Sequence, residues 1–274
     1  MSAPSVVTDP ILQVSQLGVR LGGRMVLQDI SFSLQAGSVS ALIGENGAGK
    51  TTLLRSILGM QAWQSGKIEV LGQPAQDQLA LLGYVPQKIG FDPYLPLRTR
   101  DLVALGTLRR HWWQGLRQDA AVQEALAAVQ ADSFAEQRVG QLSGGQQQRA
   151  VIAHALARRP RLLLLDEPLA NLDFASTSRL VQLLGALARE KGISVLVTAH
   201  DMNPLLPILD HLVYLVGGRA AAGSVEEVVR NEVLSKLYGY PVEVLRHRGR
   251  LLVLPEDPRY SREDVHCSQG CGHD

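Results

Sequence analysis

One stretch of the sequence decides the fold: Gly44-Glu45-Asn46-Gly47-Ala48-Gly49-Lys50-Thr51. It fits the pattern G-x-x-x-x-G-K-[ST] in full and lies between an apolar run at 39–43 and a helical pattern at 51–58. A preceding strand and a following helix are the context in which such a loop binds phosphate groups. The glycines let backbone N–H groups converge on an anion, and the helix N-terminus favours negative charge. A glycine-rich turn with a chance lysine is the weaker alternative, because both flanking elements fit.

The side chains of this loop have separate predicted roles. Lys50 can reach the β- and γ-phosphates of a bound nucleotide, and the Thr51 hydroxyl suits Mg²⁺. Thr52 follows at the start of the helix, where it can bond near the α-phosphate. We therefore predict that all residues from Gly44 to Thr52 contact the nucleotide.

Short apolar runs recur along the chain and predict buried strands of a mostly parallel sheet. They lie at 39–43, 68–71, 84–85, 162–165 and 194–198. Helical patterns at 51–58 and 174–191 alternate with them, which predicts an α/β fold with helices on both faces of the sheet. The runs 12–20 and 26–34 flank Gly22 and Gly23 and predict an antiparallel hairpin before the first parallel strand.

Two regions depart from this alternation. Helical patterns dominate residues 95–158, most clearly at 118–129 and 144–158, and predict a helical insertion. After Gly223 we expect a helix at 226–238 and a hairpin of 242–245 with 251–254. The polar stretch 256–274 is expected to be mobile.

A second chemical signal follows the most apolar run, Leu162 to Leu165. Asp166 and Glu167 end this run, so they are expected beside the phosphate loop, Gly44–Thr51. Asp166 would hold Mg²⁺ directly or through water, and Glu167 would orient and polarise the attacking water. Each alone could be a helix cap or a surface charge, but together behind a buried strand they favour catalysis.

A third signal is the segment Ser143-Gly144-Gly145-Gln146 before a helical pattern. A Ser-Gly-Gly sequence at a helix start is a second candidate anion site. One nucleotide does not need two such sites from one subunit, so the segment suggests a dimer in which it closes on the partner's nucleotide. Alone, it would be an ordinary capped helix start.

Three single residues complete the candidate set. Gln87 follows one predicted strand and could sense Mg²⁺ and water, while His200 ends another near the expected γ-phosphate. Asp173 follows the acidic pair closely. In isolation each is more simply a loop polar residue, a strand-end histidine or a helix cap.

Composition excludes several classes. Lys+Arg is 27 and Asp+Glu is 26, a balance that argues against a protein that binds nucleic acid by neutralising phosphates. No apolar run approaches the roughly 18–20 residues of a membrane-spanning helix, and no secretory signal is evident, so we expect a cytoplasmic protein. The two cysteines, Cys267 and Cys271, exclude a stabilising disulfide framework.

In this order, the motifs resemble those of the ATP-binding subunit of ABC transporters over residues 11–224. The resemblance implies a P-loop NTPase core (RecA-like) with an antiparallel β subdomain and an α-helical subdomain inserted at about 88–158. Residues 225–274 would form an extension with a short helix, a hairpin and a Cys/His tail.

The resemblance also implies how such a subunit works. Two copies sandwich two ATP molecules, with Ser143–Gln146 of one copy facing the phosphate loop of the other. Glu167 is the implied catalytic base and His200 a switch at the γ-phosphate. Gln87 links hydrolysis to the helical subdomain, which docks on an integral membrane permease at the cytoplasmic face.

One position departs from the family pattern. An aromatic residue that stacks on adenine usually precedes the Gly-Gly of the first hairpin, and here that residue is Leu21. Stacking on an aromatic side chain contributes about 1–3 kcal/mol at other nucleotide sites. We therefore predict weaker discrimination for adenine than in family members with an aromatic residue.

Cargo is less determined by the sequence. The segments at 200–206 and 237–244 look like those of importers for manganese, zinc or iron ions, which also use an extracellular or periplasmic substrate-binding protein. The second segment also resembles siderophore and haem importers. A cytosolic ABC ATPase without transport, such as one for iron–sulfur cluster assembly, is a further alternative.

The C-terminal tail carries a candidate metal site of four side chains: His266, Cys267, Cys271 and His273. Two thiolates and two imidazoles suit Zn²⁺, and Mn²⁺ is a second candidate. The spacing is compact and has no surrounding fold, so a polar tail without metal is the alternative.

Overall fold

The computed structural model describes residues 10–87, 90–107 and 120–256. The predicted tail site and the N-terminal part of the 118–129 pattern lie outside these ranges. Within the described ranges, no helix combines the length and the apolar composition that crossing a bilayer requires.

The centre of the molecule is a sheet of six strands. The strands are β3 (Val39–Ile43), β6 (Leu82–Val85), β7 (Leu162–Leu165), β8 (Ser194–Ala199), β9 (His211–Val216) and β10 (Arg219–Gly223). Their order in the sheet is β10-β9-β3-β8-β7-β6. All neighbours are parallel except β10 and β9, so the mostly parallel sheet is confirmed.

A second, antiparallel sheet has four strands: β1 (Leu12–Leu21), β2 (Arg24–Leu34), β4 (Ser65–Val70) and β5 (Gln73–Pro74). Their order in the sheet is β2-β1-β4-β5. The predicted hairpin of β1 and β2 is confirmed. The assignment of 68–71 to the parallel sheet is wrong, because β4 pairs antiparallel with β1. A short apolar run reports burial but does not identify the neighbouring strand.

Helices cover both faces of the central sheet. Two of them match their predicted patterns closely: α1 (Lys50–Ile57) and α5 (Phe174–Lys191). The region 95–158 contains α2 (Thr99–Leu105), α3 (Ala120–Ala128) and α4 (Gly144–Leu156), which confirms its helical character in the described part. Short 3-10 helices lie at Ala75–Leu81, Asp132–Phe134, Val139–Gln141 and Asn203–Ile208.

Between Gly223 and Glu256, the last described residue, the chain forms two helices, so the single predicted helix at 226–238 is wrong. α6 (Val225–Val228) starts at a capping box of Ser224 and Glu227, and α7 (Asn231–Tyr238) ends at Gly239. Non-helical backbone at Val229 and Arg230 separates them. The break follows from local capping, which apolar periodicity does not report.

The predicted C-terminal hairpin is confirmed as β11 (Val242–His247) and β12 (Arg250–Pro255). Arg248 and Gly249 both have positive φ, as a two-residue turn between twisted strands requires. Val242 and Leu251 belong to the apolar cluster on one face of the central sheet, so the hairpin packs on that face.

The two faces of the central sheet belong to two apolar clusters. Leu42, Leu164 and Leu196 pack with α1 and the antiparallel sheet. Ile43, Leu165 and Val197, each one residue further along its strand, pack with α4 and α5. Because successive side chains of a strand point to opposite faces, the apolar strands fix both layers at once.

Candidate functional site

The loop from Gly44 to Gly49 joins the carboxyl end of β3 to α1 and forms the floor of the site. Its backbone needs glycine at two positions. Gly49 has φ +108°, and a Cβ there would lie 2.8 Å from Leu27 Cδ2. A Cβ at Gly44 would collide with the Leu215 carbonyl oxygen on β9. The tight loop therefore depends on contacts from both sheets.

The N-terminus of α1 opens onto this loop without a side-chain cap. Gly49 is its N-cap residue, no side chain accepts a hydrogen bond there, and the first turn contains no acidic residue. The first N–H groups of a helix have no partner within the helix. This helix start therefore keeps its donors and its partial positive charge for an anion.

The Lys50 side chain is buried beside the loop, and three acceptors surround its ammonium. Nζ donates to the Gly44 carbonyl at 2.7 Å and to the Glu45 carbonyl at 3.2 Å. It also lies 3.2 Å from Glu167 Oε1. These contacts join the phosphate loop to the predicted catalytic carboxylate.

Asp166 lies at the carboxyl end of β7 and is 2% exposed. Two hydroxyls donate to its Oδ1: Thr198 Oγ1 at 2.9 Å and Thr51 Oγ1 at 3.4 Å. Within the described part of the chain, its other oxygen, Oδ2, accepts no hydrogen bond. A carboxylate oxygen that accepts no hydrogen bond is available to pair with a cation.

Glu167 follows with a backbone φ of +48°, the left-handed region that a residue with a Cβ seldom adopts. Its N–H donates to Thr198 Oγ1 at 2.8 Å. Its carboxylate lies between the Lys50 ammonium and the Gln87 side-chain amide, which donates to Oε2 at 2.7 Å. The structure thus brings together Lys50, Thr51, Gln87, Asp166 and Glu167, which form the Lys50 cluster.

Two other predicted residues, His200 and Asp173, make no contact with these five side chains among the described hydrogen bonds and ion pairs. His200 follows β8, is exposed and makes no hydrogen bond within the described residues. Asp173 caps α5 by accepting from the Ser176 N–H at 2.7 Å and from the Ser176 hydroxyl at 3.1 Å. These two bonds hold the pKa of the Asp173 carboxyl below its ordinary value.

The segment Ser143–Gln146 forms a capping box at the start of α4. Gln146 N–H donates to Ser143 Oγ at 3.4 Å, and Ser143 N–H donates to Gln146 Oε1 at 3.0 Å. None of the segment's hydrogen bonds within the described ranges reaches Lys50, Asp166 or Glu167. The structure therefore does not join the two predicted anion sites within one chain.

A cavity adjoins this segment between α4 and α5. Its lining is formed by Ser143, Gly145, Gln146, Arg149, Leu172, Ser176, Arg179 and Leu180. The Arg149 guanidinium lies 4.9 Å from the centre of the Phe134 ring. Burial and the charge of Arg179 lower the pKa of Arg149. Two arginines so close give this surface a positive character.

Sequence reasoning missed Thr198, whose hydroxyl contacts both Asp166 and Glu167. The available signal was a hydroxyl residue in an otherwise apolar buried strand, two residues before His200. Leu21 ends β1 opposite Arg24 and is 38% exposed, so it is accessible to a ligand.

The chain is similar to known proteins over most of its length. The family model described as ABC transporter matches residues 27–170. The zinc import ATP-binding protein ZnuC of Halorhodospira halophila is 35% identical over 233 residues, 84% of each chain. The manganese transport system ATP-binding protein MntB of Bacillus subtilis is 36% identical over 86% of this chain and 96% of its own.

The chain is also similar to a hemin import protein and to a solved structure. The hemin import ATP-binding protein HmuV of Streptomyces coelicolor is 38% identical over 92% of each chain. Among solved structures, CbiO1 of Clostridium perfringens, part of the ABC transporter complex CbiONQ, superposes with a TM-score of 0.72. It shares 27% identity and covers 84% of this chain and 94% of its own.

Proposed function

Because this chain belongs to the ABC transporter family, as an ATP-binding subunit that hydrolyses ATP, we propose that it powers the import of a metal ion, zinc or manganese. One observation carries the catalytic part of this proposal. Lys50, Asp166 and Glu167 meet beside an uncapped helix start at the carboxyl edge of the parallel sheet. Ligands of open α/β sheets bind at this edge.

The residues present fit ATP and Mg²⁺. The phosphate loop and the free donors of α1 suit phosphate groups, and Lys50 adds positive charge. Thr51 and Asp166 Oδ2 are oxygen ligands of the kind that Mg²⁺ prefers. When bound, Mg²⁺ neutralises charge on the phosphate oxygens. We assign Thr51 and Asp166 to Mg²⁺, with Gln87 beside them.

The side chains of the Lys50 cluster would have separate roles in ATP hydrolysis. Glu167 would polarise a water molecule for in-line attack, and Gln87 would hold one oxygen of that carboxylate. Lys50 would stabilise the charge that develops on the phosphate. His200 would act as a switch at the γ-phosphate, from its exposed position after β8.

We propose that the working unit is a dimer in which Ser143–Gln146 of one copy closes on the nucleotide of the other. Within one chain this segment is separate from the Lys50 cluster, which supports its assignment to the nucleotide of the other copy. ATP that binds both copies would favour the closed dimer by its higher affinity for that state. Residues 11–224 would form the cassette and 225–274 an extension of it.

ABC ATPase subunits of importers work with membrane permease components, as in the complex that contains CbiO1. We propose that this chain is held at the cytoplasmic face of the membrane by such a permease, which receives cargo from a substrate-binding protein. Nucleic acid has no role in this proposal.

Hemin is the second candidate cargo, because HmuV is as similar to this chain as the zinc and manganese proteins are. Uptake of zinc, manganese and hemin in cells that lack the chain would separate these proposals. We expect loss of metal-ion uptake, restored by the native chain but not by a Glu167→Gln variant. Loss of hemin uptake alone would favour the second candidate.

Copurification tests transport itself. We expect the chain to retain an integral membrane protein when it is isolated in detergent. Partners that are only soluble would instead favour a cytosolic ATPase, such as one for iron–sulfur cluster assembly.

For the tail, we propose that His266, Cys267, Cys271 and His273 bind Zn²⁺ or Mn²⁺. The donor set supports this, since thiolates and imidazoles are preferred zinc ligands. Calorimetric titration of the full chain should show stoichiometric binding that is lost on deletion of residues 266–274. Identical titrations of the two proteins would reject the site.

A further inference from the structure

Thr198 is a polar residue inside a strand that is otherwise apolar apart from Ser194. It is fully buried on β8. Its hydroxyl makes two side-chain hydrogen bonds that are not part of the sheet ladder. Oγ1 donates to Asp166 Oδ1 at 2.9 Å and accepts the Glu167 N–H at 2.8 Å. One hydroxyl therefore contacts two consecutive residues with different proposed roles.

The first bond fixes the Asp166 carboxylate. Thr198 and Thr51 both donate to Oδ1, and Thr198 is the closer and the more buried donor. With Oδ1 occupied in this way, Oδ2 is the oxygen without a donor among the described residues. The Thr198 hydroxyl thus determines which carboxylate oxygen is free for a cation.

The second bond supports an unfavourable backbone. Glu167 has φ +48°, and such a conformation persists only when surrounding contacts hold it. The bond from its N–H to Thr198 is one such contact. This backbone presents the Glu167 carboxylate to Lys50 and Gln87.

We infer that Thr198 is a positioning residue for ATP hydrolysis. Its hydroxyl orients the Asp166 carboxylate and holds the Glu167 backbone in its left-handed conformation. The inference rests on the proposed function, which assigns Asp166 to Mg²⁺ and Glu167 to the attacking water. Packing alone does not require a hydroxyl here, because valine has a similar volume and the flanking β8 residue Val197 is equally buried.

The central sheet offers a matched control. Ser40 on β3 is fully buried, and in the described part of the molecule its hydroxyl has no hydrogen-bond partner. Its strand lies next to β8, where Leu42 pairs with Thr198 and Ser40 pairs with Leu196. Ser40 therefore points to the same face as Thr198, two residues further from the site.

The test compares Thr198→Ser with Thr198→Ala in the full chain. Both lose the methyl group, so the pair differs only in the hydroxyl. Steady-state phosphate release is measured against ATP and against Mg²⁺ concentration, with thermal unfolding of each variant to verify folding. Thr198→Val, which keeps the volume, replaces the alanine variant if that variant does not fold.

We expect kcat of Thr198→Ala to lie about 10- to 100-fold below that of Thr198→Ser, as for a lost hydrogen bond to a charged group. KM for ATP should change much less, and half-maximal activity should require more Mg²⁺. Thr198→Ser should stay near the native rate, and Ser40→Ala should match the native chain in all three quantities.

Equal kcat and equal Mg²⁺ dependence in the serine and alanine variants would overturn the inference while leaving the proposed function intact. So would a loss in Ser40→Ala as large as that in Thr198→Ala, because any buried hydroxyl would then matter equally. A native chain without Mg²⁺-dependent hydrolysis would overturn the proposed function and this inference together.

Discussion

The cluster around Lys50 and the segment Ser143–Gln146 differ in how the fold treats them. Lys50 and Asp166 are buried, and their polar atoms are joined to Glu167, Thr51 and Thr198 across three strand ends. In the segment, Ser143 and Gly144 are exposed, and the capping hydrogen bonds stay within it. Lys50, Asp166 and Glu167 thus form a buried half of the proposed site, which one chain assembles by itself. Ser143–Gln146 forms an exposed half, which the same chain leaves open to a partner in the proposed dimer.

The largest expected effect comes from the buried half. Glu167→Gln should lower ATP turnover about 100- to 10,000-fold, because an amide cannot accept a proton from the attacking water. ATP binding should persist, since Lys50 and the glycine loop are intact. Phosphate release and nucleotide binding measure the two quantities.

Glu190→Gln is the matched control for this change, since Glu190 is exposed near the end of α5. It should leave turnover unchanged. Hydrolysis by Glu167→Gln at the native rate would show that the assignment of Glu167 is wrong.

The exposed half can be tested by complementation. A Cβ at Gly144 meets no atom within 4 Å, and an acidic residue suits the first turn of a helix, so Gly144→Glu should fold normally. Gly144→Glu and Lys50→Ala should each be inactive alone. An equal mixture should regain roughly a quarter of native turnover, because half the dimers are mixed and each retains one intact site.

A mixture of Lys50→Ala with Glu167→Gln is the control for complementation. Both changes lie in the buried half, so no mixed dimer contains an intact site and no activity should return. Absence of recovery in the first mixture as well would contradict the proposal that the segment acts on the partner.

A smaller effect is expected at Leu21, which is exposed and stands where the family pattern has an aromatic residue that stacks on adenine. Leu21→Tyr should raise the preference for ATP over GTP about tenfold, within the 1–3 kcal/mol range of aromatic stacking. The ratio of kcat/KM for the two nucleotides measures it, with the exposed Leu254→Tyr as control. A native preference equal to or above that of the variant would contradict the role of Leu21.

The smallest effect concerns stability rather than turnover. Bonds from Ser176 hold the pKa of Asp173 below its ordinary value of 3.8, so its charge stabilises the start of α5 above that pH. The contribution is lost as the pH falls through the lowered pKa. Native protein should therefore exceed Asp173→Ala in Tm near neutral pH, and the difference should shrink below pH 3.8.

Asp77→Ala serves as the control for the pH series, because Asp77 is exposed and accepts no hydrogen bond within the described residues. Its difference from the native chain should stay small across the same range. A pH-independent difference for Asp173→Ala would show that the cap acts without its charge.

Much of the fold could be predicted because its signals are local. The strand at 162–165 and the helix at 174–191 were found as predicted, since burial and capping act on neighbouring residues. The sheet to which β4 belongs and the break between α6 and α7 were missed. Strand pairing depends on distant segments, and the break depends on caps that interrupt a continuous apolar pattern.

The sequence by itself determined the chemical groups and the elements that carry them: the glycine loop, the acidic pair after an apolar strand, and Ser-Gly-Gly at a helix start. The tertiary structure decided which groups meet. It joined Gln87 to Glu167 and Thr198 to Asp166, and it kept Ser143 apart from both. The physical reason is range: turns, caps and periodicity act over a few residues, whereas these contacts form where parallel strands distant in sequence end at one edge.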